Sequence, residues 1–319
     1  MAVAVNETTG KAYIVNRGSN SVTVIDGKTR KAIATVNTGS GPEGIALNPV
    51  TNRAYVANST DNSVTVIDGA TDTVAATVRA GSYCQVLAVN PTTNRIYVAN
   101  NSGHSVTVID GATHETTTVR VGQGPRAIAV NAVLNKVYTA NYGSKDVSEI
   151  DGATNAVTSI PTGKHPWALA VDSRGGKTYG INEDSSSVSI IDGATRAVKN
   201  VAVGEIPFAV AVNSATSRAY VLSYNGSTMA VIDASGTVSK TVNLTNQPAA
   251  VAVNPKTGQI YIANQRAASV SVLDGRTHAV AATLKAGTIP YAMAVDSAAN
   301  LVYVANFNSA DATVIQGVR

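Results

Sequence analysis

The sequence is poor in most of the features that identify common protein classes, and each absence excludes something. No segment places apolar residues at helical spacing over several turns, which argues against a helical core. No run approaches the roughly 18 apolar residues of a membrane-spanning helix, and no signal peptide is evident. A single cysteine, Cys84, excludes an intramolecular disulfide and leaves the redox compartment open. Aromatic residues are only 5% and charged residues 14% of the chain, so a core must be assembled from Val, Ile, Ala and Tyr. The formal net charge of +4, with a pI near 9.1, is too mild to imply nucleic acid by itself. Neither a Gly-x-Ser-x-Gly nucleophile elbow nor a phosphate-binding loop occurs.

What the chain does have is one phrase rewritten along its length. Ser105-Val-Thr-Val-Ile-Asp-Gly-Ala-Thr113 appears again as Ser63 to Thr71 and, slightly changed, as Ser187 to Thr195. Its aspartate recurs at Asp26, Asp68, Asp110, Asp151, Asp192, Asp233 and Asp274. Asp68 to Asp110 spans 42 residues and Asp110 to Asp151 spans 41, a repeat array. Each unit holds four short β-branched runs, here named A to D, separated by turn chemistry. One copy reads Ala127–Asn131, Lys136–Asn141, Val147–Asp151 and Ala156–Ile160. Turns such as Asn48-Pro49-Val-Thr-Asn52 join A to B, and Asp68-Gly69-Ala-Thr71 joins C to D, with the Asp carboxylate accepting turn N–H groups. Half of the 14 aspartates are turn formers on this reading.

Four antiparallel strands at this period predict the blades of a β-propeller, an all-β fold. One parity of run A is small (Ala46, Ala88, Ala129, Ala170, Ala211, Ala252, Ala294), as expected where blades crowd toward an axis, so A is innermost. Tyrosine recurs in run B at Tyr13, Tyr55, Tyr97, Tyr138, Tyr179, Tyr220, Tyr261 and Tyr303. That count predicts eight blades in a single domain over 1–319, with seven blades as the alternative. Run D occurs once less often, so the last blade is expected to lack its outer strand and to expose an edge at Thr313 to Ile315.

The Tyr-Val-Ala-Asn of run B (Tyr55 to Asn58, Tyr97 to Asn100, Tyr303 to Asn306), followed by Val-Thr-Val-Ile-Asp, resembles the YVTN-type bacterial β-propeller family. The likeness covers the whole chain and is specific for fold. It implies surface-layer or secreted proteins that bind other molecules, and one periplasmic relative is associated with DNA. Related propellers include lactonases and lyases. The Thr-, Asn- and Ser-rich turns also suit an exported bacterial protein, periplasmic or secreted, and Met1 runs at once into mid-repeat sequence, as if a leader has been lost.

Positions that differ between blades are where a site is expected. The residue before run A is Met1, Glu43, Gln85, Arg126, Trp167, Phe208, Ala249 and Tyr291 in blade order; the residue after the run-B Asn is Arg17, Ser59, Asn101, Tyr142, Glu183, Tyr224, Gln265 and Phe307. Both rings should surround one mouth of the central channel, offering apolar area with a few orienting charges. Arg17, Tyr83, Arg126, Tyr142, Lys164, Trp167, Phe208, Tyr224, Gln265, Tyr291 and Phe307 are the expected ligand contacts. An anionic or aromatic small molecule, or a protein or cell-surface segment, is the expected ligand of a monomer.

The alternative is a hydrolase or lyase with His165, Glu43 or Glu183 as acid/base and Arg126 steadying an oxyanion. A divalent metal such as calcium would draw on Glu43, Asn101 and Glu183. A further alternative places nucleic acid or another polyanion on a basic ring on the opposite face, formed by Lys11, Arg53, Arg95, Lys136, Lys177 and Arg218. Three residues are read as bystanders: Cys84 as a partly buried thiol, His278 as a solvated turn residue, and Glu149 as a solvent-facing exception in run C.

Overall fold

The structure, a computed structural model, describes residues 2–244 and 247–318. Seven four-stranded antiparallel sheets and one three-stranded sheet are arranged as eight blades. The strands are short and β-branched, and one brief 3-10 turn, Glu183–Ser185, interrupts them. Strand A of each blade lies against the A strands of its neighbours, and the first (Val3–Asn6) meets the last (Pro290–Asp296), closing the ring. Strands A, B and C of the last blade are Pro290–Asp296, Leu301–Asn306 and Asp311–Gln316; no D strand follows among the described residues. The eight run-B tyrosines are all fully buried, and Tyr138, Tyr220 and Tyr303 lie against the C–D turn of the next blade. Thus Tyr303 Oη of blade 8 reaches Gly27 of blade 1 so closely that a Cβ there would meet it at 2.5 Å.

The conserved phrase is explained by hydrogen bonds within and between blades. The last Asn of strand B is buried and its Nδ2 donates to two hydroxyls on strand C: Asn58 to Ser63 (3.0 Å) and Thr65 (2.9 Å), Asn100 to Ser105 (3.1 Å) and Thr107 (2.9 Å). The second hydroxyl then accepts the N–H of a D–A glycine, Gly39 or Gly81, at 3.2 Å. A Cβ on Gly81 would fall 2.6 Å from Asn100 Nδ2, so glycine is required there by close approach. At the opposite end, each C–D turn aspartate accepts N–H groups, as Asp68 does from Ala70 (2.8 Å) and Thr71 (3.2 Å). Those bonds stabilise the ionised form and hold the pKa values of Asp68, Asp110, Asp151, Asp192 and Asp274 below the usual carboxylate range.

The six cations expected to form a basic ring each also contact the neighbouring blade. Lys11 Nζ donates to Gly69 O at 2.9 Å, Arg95 Nη1 to Gly152 O at 2.6 Å, Lys136 Nζ to Gly193 O at 2.6 Å and Arg218 Nη1 to Gly275 O at 3.4 Å. Lys177 reaches Ala234 O, and Arg53 lies 3.3 Å from His114 Nε2. Each cation therefore reaches the C–D turn of the following blade, and its charge is partly spent there.

Two bystander readings are corrected by burial. Glu149 does not face solvent: it is 2% exposed, with Oε1 3.1 Å from Lys136 Nζ and 2.9 Å from Arg196 Nε. Blade 4 thus carries a buried acid where its neighbours carry Val or Ile, and the cations that flank it offset the cost of burying its charge. His278 is buried beside Tyr220 rather than solvated, and desolvation holds its imidazole below the ordinary value of 6.5.

A ladder of A–B turn asparagines also links blades, through Asn6 to Asn52, Asn48 to Asn94, Asn90 to Asn135 and Asn254 to Asn300. Among the described residues it is interrupted from blade 4, where Asn131 Nδ2 has no partner, to blade 5, where Asp172 replaces the Asn and both carboxylate oxygens are buried without a partner.

Three outcomes follow for stability. Asn100→Ala orphans two buried hydroxyl acceptor sites and should cost about 2–3 kcal/mol in denaturant unfolding; a loss below about 0.5 kcal/mol would show the brace to be incidental. Asp172→Asn restores a donor to the ladder and should gain about 1 kcal/mol, and a loss would mean that the carboxylate is satisfied in solution. Because His278 is held neutral, the unfolded chain binds the extra proton and stability falls as pH drops below about 6.5. His278→Asn, which suits the left-handed backbone at φ 63°, should flatten that decline in thermal melts at pH 5 to 7.

Candidate functional site

A β-bulge near the start of strand A creates the variable rim. In blade 4, Pro125 pairs with Asn141 and Ala127 with Ala140, so Arg126 is the extra residue. The same slip isolates Glu43, Trp167, Phe208, Ala249 and Tyr291, and in blade 3 Gln85. A bulge re-aims the side chain it carries, which is why this position escapes the in–out alternation of the strand. The second ring is tied to the first by a main-chain bond repeated in seven blades. Ser59, Asn101, Tyr142, Glu183, Tyr224, Gln265 and Phe307 each donate N–H to the carbonyl two residues before the bulge, at 2.9–3.1 Å. The acceptors are Gly41, Tyr83, Gly124, His165, Ile206, Gln247 and Ile289, all at φ between 51° and 68°. Met1, the eighth bulge-ring residue expected, lies outside the described residues.

The predicted aromatics gather unevenly. Around blades 4 and 5, Tyr142 stacks on His165 with centroids 4.3 Å apart and meets the edge of Trp167 at 5.9 Å. The Arg126 guanidinium lies over the Trp167 ring, 3.5 Å from its centroid. His165 Nδ1 is 2.6 Å from Asp184 Oδ2. Glu183 is half-buried, and desolvation, then the neighbouring Asp184, raise its carboxyl above the usual range. Lys164 stands exposed at the edge, its N–H donating to Ser185 Oγ at 2.7 Å.

Elsewhere the rim is thinner. Phe208 and Tyr224 pair at 6.3 Å, with Gln247 Nε2 donating to the Tyr224 hydroxyl, while Tyr291 and Phe307 pair at 6.3 Å. Gln265 is half-buried and Tyr83 stands exposed with no aromatic partner among the described residues. Tyr291 also borders a cleft of about 290 Å³ with Glu43, Gln85 and Leu87.

The acid/base and metal candidates are only partly brought together. His165, Glu183 and Arg126 share one quarter of the rim. Glu43 sits on blade 2, held by Arg17 at 3.2 Å and by the Ser59 hydroxyl at 2.9 Å. Asn101 donates Nδ2 to Pro125 O at 3.3 Å. Among the described residues no three His, Cys, Asp or Glu side chains converge as metal ligands, and the suggested set of Glu43, Asn101 and Glu183 is spread over blades 2, 3 and 5.

Cys84 is fully rather than partly buried; its thiol donates toward Asn58 O and Ser63 O, and desolvation pushes it up to about 11, which makes it an inert core residue. The site residue that sequence reading missed is Asp184. Its signal was available, since Gly18, Thr60, Ser102, Gly143, Asn225, Arg266 and Asn308 occupy the same place in other blades and only blade 5 puts an acid there.

Solved structures share the architecture at low identity. Hydrazine synthase of Kuenenia stuttgartiensis matches with TM-score 0.69 and 18% identity, over 99% of this chain and 95% of that one. The dihydro-heme d1 dehydrogenase NirN, in complex with DHE, matches with TM-score 0.79 and 15% identity, over 97% of this chain and 73% of that one. A streptogramin B lyase matches with TM-score 0.68 and 13% identity, over 84% and 91%. At these identities the likeness is one of fold. No curated protein matches the sequence significantly. The model of the YNCE-like beta-propeller matches residues 45–318, which together with the eight-bladed ring shows that the chain belongs to the YNCE-like beta-propeller family.

Proposed function

We propose that the chain is a binding propeller that holds a planar, anionic group over blades 4 and 5 of its variable mouth. The observation that carries this reading is the Arg126–Trp167 stack beside Tyr142 and His165. A guanidinium whose Cζ sits 3.5 Å over an indole still has N–H donors to offer, and these match a carboxylate or phosphate in a bidentate fashion. Arg126 makes no hydrogen bond or ion pair of its own among the described residues, so that capacity is unspent. Lys164 adds positive charge at the entrance, and the rings add stacking area. An aromatic carboxylate or the acidic, aromatic-bearing tip of a protein segment fits this chemistry. Export to the periplasm or cell exterior belongs to the same reading, supported by the composition of the turns.

The His165–Asp184 contact favours a second reading, a lyase or hydrolase. A carboxylate on Nδ1 fixes the imidazole tautomer and leaves Nε2 to take a proton, and Glu183, its carboxyl raised by desolvation, is a second ionisable group beside it.

Trp167 is the only tryptophan and therefore reports on this site directly. Titrating the chain with a panel of aromatic carboxylates should quench its fluorescence, and Arg126→Leu should weaken the best ligand about 10- to 100-fold. If no member of the panel perturbs Trp167, or Arg126→Leu leaves affinity unchanged, the binding reading is lost. If a bound ligand is converted and Asp184→Asn lowers turnover while sparing affinity, the second reading takes its place.

A further inference from the structure

On the face opposite the rim, two departures from the repeat open a cavity between blades 6 and 7. At four joints an A–B turn Asn donates to an Asn of the next blade at 2.7–2.9 Å. Asn213 is the donor of blade 6, but Gly258 takes the acceptor's place in blade 7. Asn213 is 2% exposed, and its Nδ2 has no partner among the described residues. Gly258 sits at φ 75° with open space where a Cβ would project. Between blades 4 and 5, where Gly176 makes the same change, Leu134 packs so close to Gly193 that a Cβ there would meet its Cδ1 at 2.7 Å. The equivalent of Leu134 in blade 6 is the smaller, polar Thr216. What remains is a cavity of about 480 Å³ whose walls include Asn213, Thr216, Arg218, Tyr220, Gly275 and Arg276.

Those walls are rich in hydrogen-bond donors. Arg218 makes one bond, from Nη1 to Gly275 O at 3.4 Å, and no ion pair among the described residues, whereas Lys11 in the same place in blade 1 is paired with Asp72 at 2.8 Å. His278 holds the position of Asp72 in blade 7, so no carboxylate answers Arg218 from there. Arg276 stands where Ala70, Ala112, Ala153 and Ala194 stand in other blades, and its guanidinium has no partner among the described residues. Gly27, Gly69, Gly111, Gly152 and Gly193 each give their N–H to an A–B turn carbonyl of their own blade at 2.8–2.9 Å, a bond that Gly275 does not make among the described residues. The acid in the lining, Asp274, is engaged in its own turn, with Oδ1 accepting the N–H groups of Arg276 (2.9 Å) and Thr277 (2.7 Å).

We propose that the cavity between blades 6 and 7 binds the phosphate group of a small phosphate monoester. Arg218 and Arg276 supply charge-assisted hydrogen bonds, and the buried Asn213 Nδ2 supplies a neutral donor that the fold itself does not use. These donors come from the end of strand A and the start of strand B in blade 6 and from the C–D turn of blade 7. Such a spread suits the several oxygens of a tetrahedral dianion better than the single plane of a carboxylate. The volume lies within the range of about 300–1,000 Å³ usual for small-molecule sites, which leaves room beside the phosphate for an organic part bordered by Thr216 and Thr257. The site belongs to one joint rather than to the ring of cations, and it does not rest on the binding reading given for the mouth.

Calorimetric titration of the whole chain with glycerol 3-phosphate, a hexose 6-phosphate and acetate tests the proposal. At least one of the two monoesters should bind saturably at one site per chain, and acetate about tenfold more weakly or not at all. Arg276→Ala, which restores the alanine of four other blades, should weaken the monoester about tenfold or more. Gly258→Asn refills the cavity and gives Asn213 its acceptor. Because Asn52, Asn94, Asn135 and Asn300 hold that place at φ 51–54°, this variant should keep or raise the melting temperature while abolishing binding. Failure of both monoesters to bind overturns the proposal, as does binding that survives both substitutions or an equal affinity for acetate. Quenching of Trp167 by the monoester, lost in Arg126→Leu, would overturn it by placing the anion at the mouth instead.

Discussion

The buried asparagine at the end of strand B is the contact on which the propeller depends. An amide buried without partners would be costly, and here its Nδ2 joins two hydroxyls of strand C while the second hydroxyl accepts the N–H of the glycine that leads toward the next blade. One side chain therefore fixes the B–C register inside a blade and the path by which the chain leaves it. Blade 6 shows the contrast. Ser223 stands in place of Asn, Ala230 in place of the second hydroxyl, and both Ser223 Oγ and Thr228 Oγ1 are left buried without partners. The ring tolerates one such lapse because each neighbouring blade carries an intact brace of its own.

Much of this was legible in the sequence, and for a physical reason. A contact needed in every blade selects the same residues in every blade, so strand order, blade count, the innermost alanines and the missing outer strand all emerge from the 41- to 42-residue period. The cations at the start of strand B illustrate where periodicity has two readings. Their recurrence in six blades suggested a surface for polyanions, yet recurrence is equally what an inter-blade contact produces, and Lys136 and Arg95 each donate to a carbonyl of the following blade. Glu149 and His278 were misplaced for the converse reason. Each is a single departure from the pattern, and Arg196 beside Glu149 and Tyr220 beside His278 come from adjoining blades, which no reading of one repeat can reveal.

The rim was legible as a set of positions and illegible as a set of contacts. Counting departures from the repeat located Arg126, Tyr142, His165 and Trp167, because the bulge repeats at a fixed place and only its side chain changes. Which of the rim residues touch depends on rotamers and on the curvature of the ring. That is why Glu43 separates from Glu183, and why Asp184 enters through a loop residue whose counterparts elsewhere are neutral or basic.

The clamp beneath the rim explains how such variation is accommodated. It is made by backbone N–H and C=O groups, so the scaffold places no demand on the side chains of either ring. Its demand falls on the residue before the proline or its Cys84 equivalent, which must be left-handed. Gly41 and Gly124 meet it without strain, whereas Ile206 and Ile289, β-branched at φ 51° and 55°, meet it at a cost of about 1–3 kcal/mol each. His165 occupies the same position at φ 52°, and that backbone, together with Asp184, sets its ring beside Tyr142. The geometry that closes every blade is thus the geometry that presents the imidazole of blade 5, and a residue of another type placed there would keep the clamp while removing the stack. Scaffold and site are separable at this position because one uses its main chain and the other its side chain.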